Sequence, residues 1–295
     1  IIIPYTKSGT TIVELAPIAV EDIVAKLTLP NGDVTSLLLS NPGFEACEAN
    51  TTDLSTAKNA GVDYTAQGWT ITASGDWCNA AVYEYGSATI LNSVTAPAAD
   101  NAGNPGKAMG VTVAWSSNVK YTTATPITLP AGIYTIKING YNAFGSATLF
   151  HSNLAFVAES GTVIASSSKS NFASNVWEDD VISFTLDTET TGNITFGGYA
   201  ENKGSGDHAR VFFDNITISR FADLLSQAVA DLNETIAKAQ AVADAGLAPK
   251  TDINAAIATA LAATTETEAE TVMAAKETLL AAVAAYNDVN THFVA

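Results

Sequence analysis

Residues 129–140 read Leu129-Pro130-Ala131-Gly132-Ile133-Tyr134-Thr135-Ile136-Lys137-Ile138-Asn139-Gly140, and the fold follows from them. Pro130-Ala131-Gly132 and Asn139-Gly140 are turn signals. Between them Ile133, Thr135 and Lys137 alternate with Tyr134, Ile136 and Ile138. A period of two sends successive side chains to opposite faces, so this run reads as a half-buried antiparallel strand. The same period recurs on both sides. Met109, Val111, Val113 and Trp115 alternate with Gly110, Thr112 and Ala114; Ile182, Phe184 and Leu186 share one face of a later run, as do Ile194 and Phe196. Asn104-Pro105-Gly106, Ser160-Gly161 and Thr191-Gly192 punctuate these runs. Many short strands with no helical pattern between them predict an antiparallel β-sandwich of jelly-roll type.

One strand breaks its own parity. In Arg210-Val211-Phe212-Phe213-Asp214-Asn215-Ile216-Thr217-Ile218 the apolar positions are odd at Val211 and Phe213 and even at Ile216 and Ile218. A switch of face within a strand needs one extra residue, so the sequence predicts a bulge at Asp214-Asn215. Such a bulge sits at a plain sheet edge or beside a functional or metal site, and both readings stand.

Outward from this region the texture changes near residue 221. Beyond it the chain is Ala-rich, lacks Trp and has one proline, Pro249. Leu225, Val229, Leu232, Ile236, Ala239 and Ala243 step by four and three, the spacing of a helical seam. Gly246 and Pro249 end that helix. A second helix starts near Thr251-Asp252 and presents Ile253, Ile257 and Leu261. Thr265 and Glu268 have capping-box spacing for a third, which lines up Val272, Leu279, Val283 and Tyr286. The fold class is therefore mainly β with an α-helical C-terminal domain. Residues 1–33 are an extended lead-in or linker with a strand near Thr10–Leu15, 34–220 the sandwich, and 221–295 a small three-helix bundle.

Charge narrows the function. The chain has 295 residues, with Lys+Arg 13 against Asp+Glu 30, a net charge of −17. That excludes nucleic acid as the expected partner, because phosphate binding needs clustered cations. It also disfavours a polybasic membrane anchor. No apolar run approaches the roughly 18 residues of a transmembrane helix. Hydrophobic residues make up 47%, enough for a sizeable core. Thr, Ser, Asn and Ala replace charge, a composition common in secreted bacterial proteins. The chain begins Ile1-Ile2-Ile3-Pro4, without an initiator Met or a basic leader, and reads as a mature form or excised fragment. The two cysteines, Cys47 and Cys78, lack metal-motif spacing. They read as an inert buried pair or as a disulfide made in an oxidising compartment, and the disulfide is the expectation carried forward.

Catalytic signatures are missing. His151, His208 and His292 lie far apart, without metal-ligand spacing, and no G-x-S-x-G elbow occurs. Glu178-Asp179-Asp180 is an acid run, but adjacent strand residues face opposite sides and do not flank one glycosidic bond. A non-enzymatic role is expected. A polysaccharide-degrading enzyme that assembles distant carboxylates is the weakest alternative.

Three motifs carry a resemblance. Asn41-Pro42-Gly43-Phe44-Glu45 leads to Gly68-Trp69; Leu129-Pro130-Ala131-Gly132-Ile133-Tyr134 is central; Phe212-Phe213-Asp214-Asn215-Ile216 closes. In this order they resemble galactose-binding-like jelly-roll modules, including the carbohydrate-binding modules of bacterial secreted and surface proteins. The helical tail resembles FIVAR-type three-helix repeats by pattern. The resemblance implies a secreted or cell-surface binding protein for a glycan or polysaccharide, with aromatic side chains as the platform. Platform candidates are Trp77, Tyr83, Tyr85, Trp115, Tyr121, Tyr141 and Phe144, whereas Trp69 and Trp177 match core positions. It also implies a structural calcium where the opening segment meets the last strand, at Glu45 and Asp214. Read without it, Glu45 caps a turn and Asp214 bonds a backbone amide. The runner-up function is a structural or adhesive surface protein that packs against neighbouring proteins.

Overall fold

The computed structural model describes residues 5–8, 11–14, 29–49, 67–75, 78–87, 94–143, 150–201 and 209–292. Trp77, Phe144, His208 and most of the lead-in fall outside them. A two-stranded ribbon, β1 (Tyr5–Ser8) with β2 (Thr11–Glu14), covers the strand read near residues 10–15. The body of the protein is two antiparallel sheets. The six-stranded sheet runs β13 (Trp177–Leu186), β9 (Gly132–Asn142), β15 (Ala209–Phe221), β6 (Lys107–Val113) and β5 (Cys78–Glu84), and β3 (Gly32–Asp33) also pairs with β15. The seven-stranded sheet runs β12 (Val163–Ser166), β11 (Ala155–Ala158), β14 (Thr190–Ala200), β7 (Asn118–Thr123) and β4 (Trp69–Ser74). In it β8 (Ile127–Leu129) and β10 (Phe150–Ser152) pair with β14. Every pairing of these strands is antiparallel.

The alternation read in residues 133–138 governs the packing. Tyr134, Ile136 and Ile138 are fully buried between the sheets, and their odd-numbered neighbours face outward. The centre of the core is aromatic. Phe196 stacks on Tyr121 at 4.7 Å and meets Trp69 edge-on at 5.1 Å. Phe44 and Phe213, each 5.6 Å away, complete its surroundings. Gly198 sits where a Cβ would overlap the Phe150 ring, so its smallness belongs to the packing. The bulge is present: the β15–β9 register shifts between Asp214 and Thr217, with Asn215 at φ 52. It lets Val211 and Phe213, then Ile216 and Ile218, all point inward.

The opening motif is docked by one side chain. Asn41 donates to the Gln67 carbonyl at 3.1 Å and accepts from the Ala46 N–H at 3.1 Å. Its own carbonyl takes the Trp69 indole N–H at 3.2 Å, and Pro42 accepts the Ile216 N–H at 3.1 Å. The segment before residue 34 is built in as well. Leu29 is buried, and Arg220 on β15 donates to its carbonyl at 2.6 Å. A short helix, α1 (Thr35–Leu38), follows; nothing in the apolar pattern announced it.

Three helices end the chain: α2 (Leu224–Ala245), α3 (Thr251–Ala263) and α4 (Ala269–Thr291). Asp223 caps α2 by accepting the Ser226 N–H at 2.7 Å, and Gly246 closes it. The seam is much as read, with Leu232, Ile236, Ala239, Ala243, Ile253, Ile257, Val272, Leu279 and Tyr286 in one cluster. Two expectations fail. Leu261 is exposed, Ala260 filling the seam in its place. Thr265 donates back to the Ala262 carbonyl, leaving α4 without a side-chain cap at Glu268. Among the described residues no helix is long and apolar enough to cross a membrane.

Candidate functional site

The outer face of the six-stranded sheet gathers three of the sequence candidates, Tyr83, Tyr85 and Tyr141, though not as an open platform. Tyr83 is buried against Phe212 in an edge contact at 5.8 Å, so it is a packing residue and not a ligand contact. Tyr121 is the second correction: it lies between the sheets on Phe196, because β7 turns its odd positions inward. Tyr85 and Tyr141 do share the outer face and are half-buried. Trp177 packs between them, 5.3 Å from Tyr141 and 6.3 Å from Tyr85. Trp177 thus belongs to this outer layer and not to the main core; the cross-strand pairing Trp177 to Tyr141 puts it there. The segment 94–106 lies over the same layer, with Val94 and Ala96 in its apolar cluster and the Ala99 carbonyl accepting the Trp177 indole N–H at 2.9 Å. Trp115 stands half-buried in the β6–β7 turn, where it and Ser116 take φ values of 46 and 63.

The carboxylates implied as calcium ligands lie near enough to feel each other's charge, at the seam of the opening segment and β15. Asp214, 3% exposed, accepts from the Tyr85 hydroxyl and from the Asn215 N–H at 2.7 Å. Burial, reinforced by the nearby charges of Glu45 and Asp100, pushes its pKa up to about 7 against those hydrogen bonds. Burial first, then the bond to Asp214, raises the Tyr85 hydroxyl well above its usual range. Glu45 accepts the Lys107 N–H at 2.9 Å, beside Gly106, where a Cβ would overlap its carboxylate. Among the described residues no three His, Cys, Asp or Glu side chains come together as a metal-binding group. The expected disulfide is not formed. Cys47 and Cys78 are both buried, and each sulfur is engaged locally. The Asn41 amide donates to Cys47 at 3.2 Å, and Cys78 faces the Ser74 carbonyl at 3.7 Å. Burial raises the Cys47 thiol above its ordinary value.

The opposite face presents exposed Thr72, Ser74 and Lys120. On the outer side of the seven-stranded sheet, strand register aligns Ser74, Asn118, Tyr199 and His151 in one cross-strand row. Thr72, Lys120 and Gly197 form the next row. A groove of about 250 Å³ lies between β4 and β7, lined by Thr72, Ala73, Ser74, Asn118 and Lys120. Beside it Tyr199 is half-buried, its ring lying 29° from the plane of His151 at 6.2 Å. His151 Nε2 is 2.7 Å from Glu201 Oε1. These are an aromatic face, an amide, hydroxyls, an ammonium and an imidazole–carboxylate pair, all on strands but for Glu201 just past the end of β14. Stacking on the ring together with hydrogen bonding around it is the chemistry by which a pyranose is held.

The sequence signals for this face were present and weak. Asn118 and Lys120 alternate with buried Val119 and Tyr121, as Tyr199 and Glu201 alternate with buried Gly198 and Ala200. His151, read as a solitary histidine, is joined to Tyr199 and Glu201 only by the pairing of β10 with β14.

No family model and no curated protein matches this chain. Among solved structures it is similar to an arabinose-bound MgGH51 α-L-arabinofuranosidase, with 14% identity over 68% of this chain and TM-score 0.42. This chain spans only 30% of that enzyme, and 20% of an enzymatically active tailspike domain of bacteriophage CBA120. It is similar to TmCBM61 in complex with β-1,4-galactotriose, with 15% identity, 62% of this chain, 98% of that one and TM-score 0.35. It is similar also to the family 11 carbohydrate-binding module of Lic26A-Cel5E of Clostridium thermocellum, with 15% identity, 54% of this chain, 92% of that one and TM-score 0.33. At these identities and TM-scores neither ligand nor activity transfers to this chain.

Proposed function

We propose that this is a non-catalytic glycan-binding protein, secreted or displayed at a cell surface, and that it holds its ligand on the outer face of the seven-stranded sheet. The observation that carries this reading is the half-buried Tyr199 ring, set in a row of polar side chains beside an open groove. The six-stranded face supplies more aromatics, but the segment 94–106 packs on them. Its most perturbed carboxylate, Asp214, is tied down by Tyr85. The role of the helical bundle in this reading is that of a spacer or docking element. The structural alternative, assembly with neighbouring proteins, draws support from Leu224 and Met273, exposed along the α2–α4 groove of about 350 Å³.

A glycan array read with and without calcium tests the proposal. Binding by the wild-type chain is expected, with Tyr199→Ala weakening it about fivefold or more, the worth of one aromatic stacking contact of about 1 kcal/mol. Loss of binding in Trp177→Ala with Tyr199→Ala unaffected moves the site to the six-stranded face. If neither condition yields binding, the glycan reading fails and the structural one replaces it. Calcium at Glu45 and Asp214, completed by backbone carbonyls, belongs to the proposal as a stabilising ion. A melting temperature that calcium does not raise removes it.

A further inference from the structure

We infer that the glycan held at this face is acidic, and that its carboxylate is seated in the β4–β7 groove against Lys120; the inference rests on the glycan-binding reading above. Among the described residues the groove lining holds hydroxyls, an amide and one charged group, the Lys120 ammonium. Among the described residues that ammonium has no ion-pair or hydrogen-bond partner, in a chain of net charge −17. The strand across from it leaves room. Lys120 pairs in register with Gly197, which has φ 117 and a Cβ position that would run into the Val119 carbonyl, so this site demands glycine. No side chain therefore stands between Lys120 and Tyr199 on that strand.

The amide in the lining is oriented as a donor. Asn153 Nδ2 donates both to the Val119 carbonyl at 3.1 Å and to Asn118 Oδ1 at 2.6 Å. The carbonyl contact fixes which end of Asn153 is nitrogen, and that in turn fixes Asn118, whose oxygen faces Asn153. Asn118 Nδ2 is left for the groove. With the Ser74 hydroxyl and the Lys120 ammonium, the groove is rich in donors, and among the described residues its lining holds no carboxylate. Its complement is a ligand group with acceptors only and a negative charge, such as the carboxylate of a uronic acid. Glu201 lies at the other end of the row, 2.7 Å from His151. Charge thus runs from positive at the groove to a paired acid beyond Tyr199. A chain crossing the face places its acidic sugar at Lys120 and a neighbouring ring on Tyr199.

The test pairs acidic polymers with the same backbones neutralised. Polygalacturonate and alginate are compared with highly methyl-esterified pectin and propylene glycol alginate, beside neutral xylan and galactan, by calorimetry with wild-type, Lys120→Met, Lys120→Arg and Tyr199→Ala chains. One acidic polymer is expected to bind about tenfold more tightly than its ester, the scale of one charge-assisted hydrogen bond, and to weaken as salt rises. Lys120→Met should reduce it to the level of the ester and Lys120→Arg should retain it, whereas Tyr199→Ala should weaken acid and ester alike. Equal affinity for acid and ester, an unaffected Lys120→Met, or binding confined to neutral polymers overturns the inference and leaves glycan binding standing. Absence of binding to every polymer overturns the glycan reading itself, and the inference with it.

Discussion

Replacing Phe196 with alanine removes the hub of the core, and the structure supplies the magnitude. The ring is fully buried and has four aromatic neighbours: Tyr121 stacked at 4.7 Å, Trp69 at 5.1 Å, and Phe44 and Phe213 at 5.6 Å. These neighbours come from both sheets and from the opening segment, so no single element relaxes to fill the space. Buried Phe→Ala changes cost about 3–5 kcal/mol, and so rigid a surround belongs at the upper end. For a sandwich of this size each kcal/mol moves the melting temperature by about 2–4 °C, so the expected loss is about 10–20 °C. The assay reads the sandwich by itself, since all four tryptophans lie before residue 221 and the helical tail has none. Trp69, in edge contact with the lost ring, should report the change in tryptophan fluorescence. Thr122→Ser, on the outward side of the neighbouring strand, is the control and should stay within about 0.5 kcal/mol of wild type. A Phe196→Ala melt displaced by less than about 3 °C, with unchanged fluorescence, would mean that Phe196 is not at the centre of the core and that the strand parity has been assigned wrongly.

Two further outcomes follow from buried polar groups. Cys47 and Cys78 are buried and not joined, so without reductant the folded chain should react slowly with a thiol reagent and release two equivalents on denaturation; no reactive thiol after denaturation would restore the disulfide. Asp180, 2% exposed, accepts hydrogen bonds from Ser152 and Ser167 with Lys169 nearby, yet burial outweighs these and raises its pKa. Between its unfolded and folded values the native state binds the extra proton, so its contribution to stability falls as pH rises through that window and is flat above it. Melting temperature against pH, from about 4 upward, should show this decline in wild type and lose it in Asp180→Asn; a wild-type excess over Asp180→Asn that grows with pH would refute the direction.

Legibility stopped where strand pairing took over. Tyr134, Ile136 and Ile138 declared their face within six residues, and Asp214-Asn215 declared a bulge, because parity is a local property of one strand. The lateral order of strands is not local. Tyr83 and Tyr85 share a parity, yet one is buried and the other bonds Asp214, because residues 94–106 and Trp177 arrive from elsewhere in the chain. Tyr121 is a platform candidate by residue type alone, whereas the alternation of β7, with Val119, Tyr121 and Thr123 buried and Asn118, Lys120 and Thr122 less so, turns it inward. The same alternation, followed the other way, leads to the candidate site. If Tyr121 points in, Asn118, Lys120 and Thr122 must point out, and pairing with β14 brings Tyr199 and Gly197 beside them. In this sandwich a misassigned aromatic and an overlooked polar row on β7 are one error of parity: turning Tyr121 inward is what turns Asn118 and Lys120 outward.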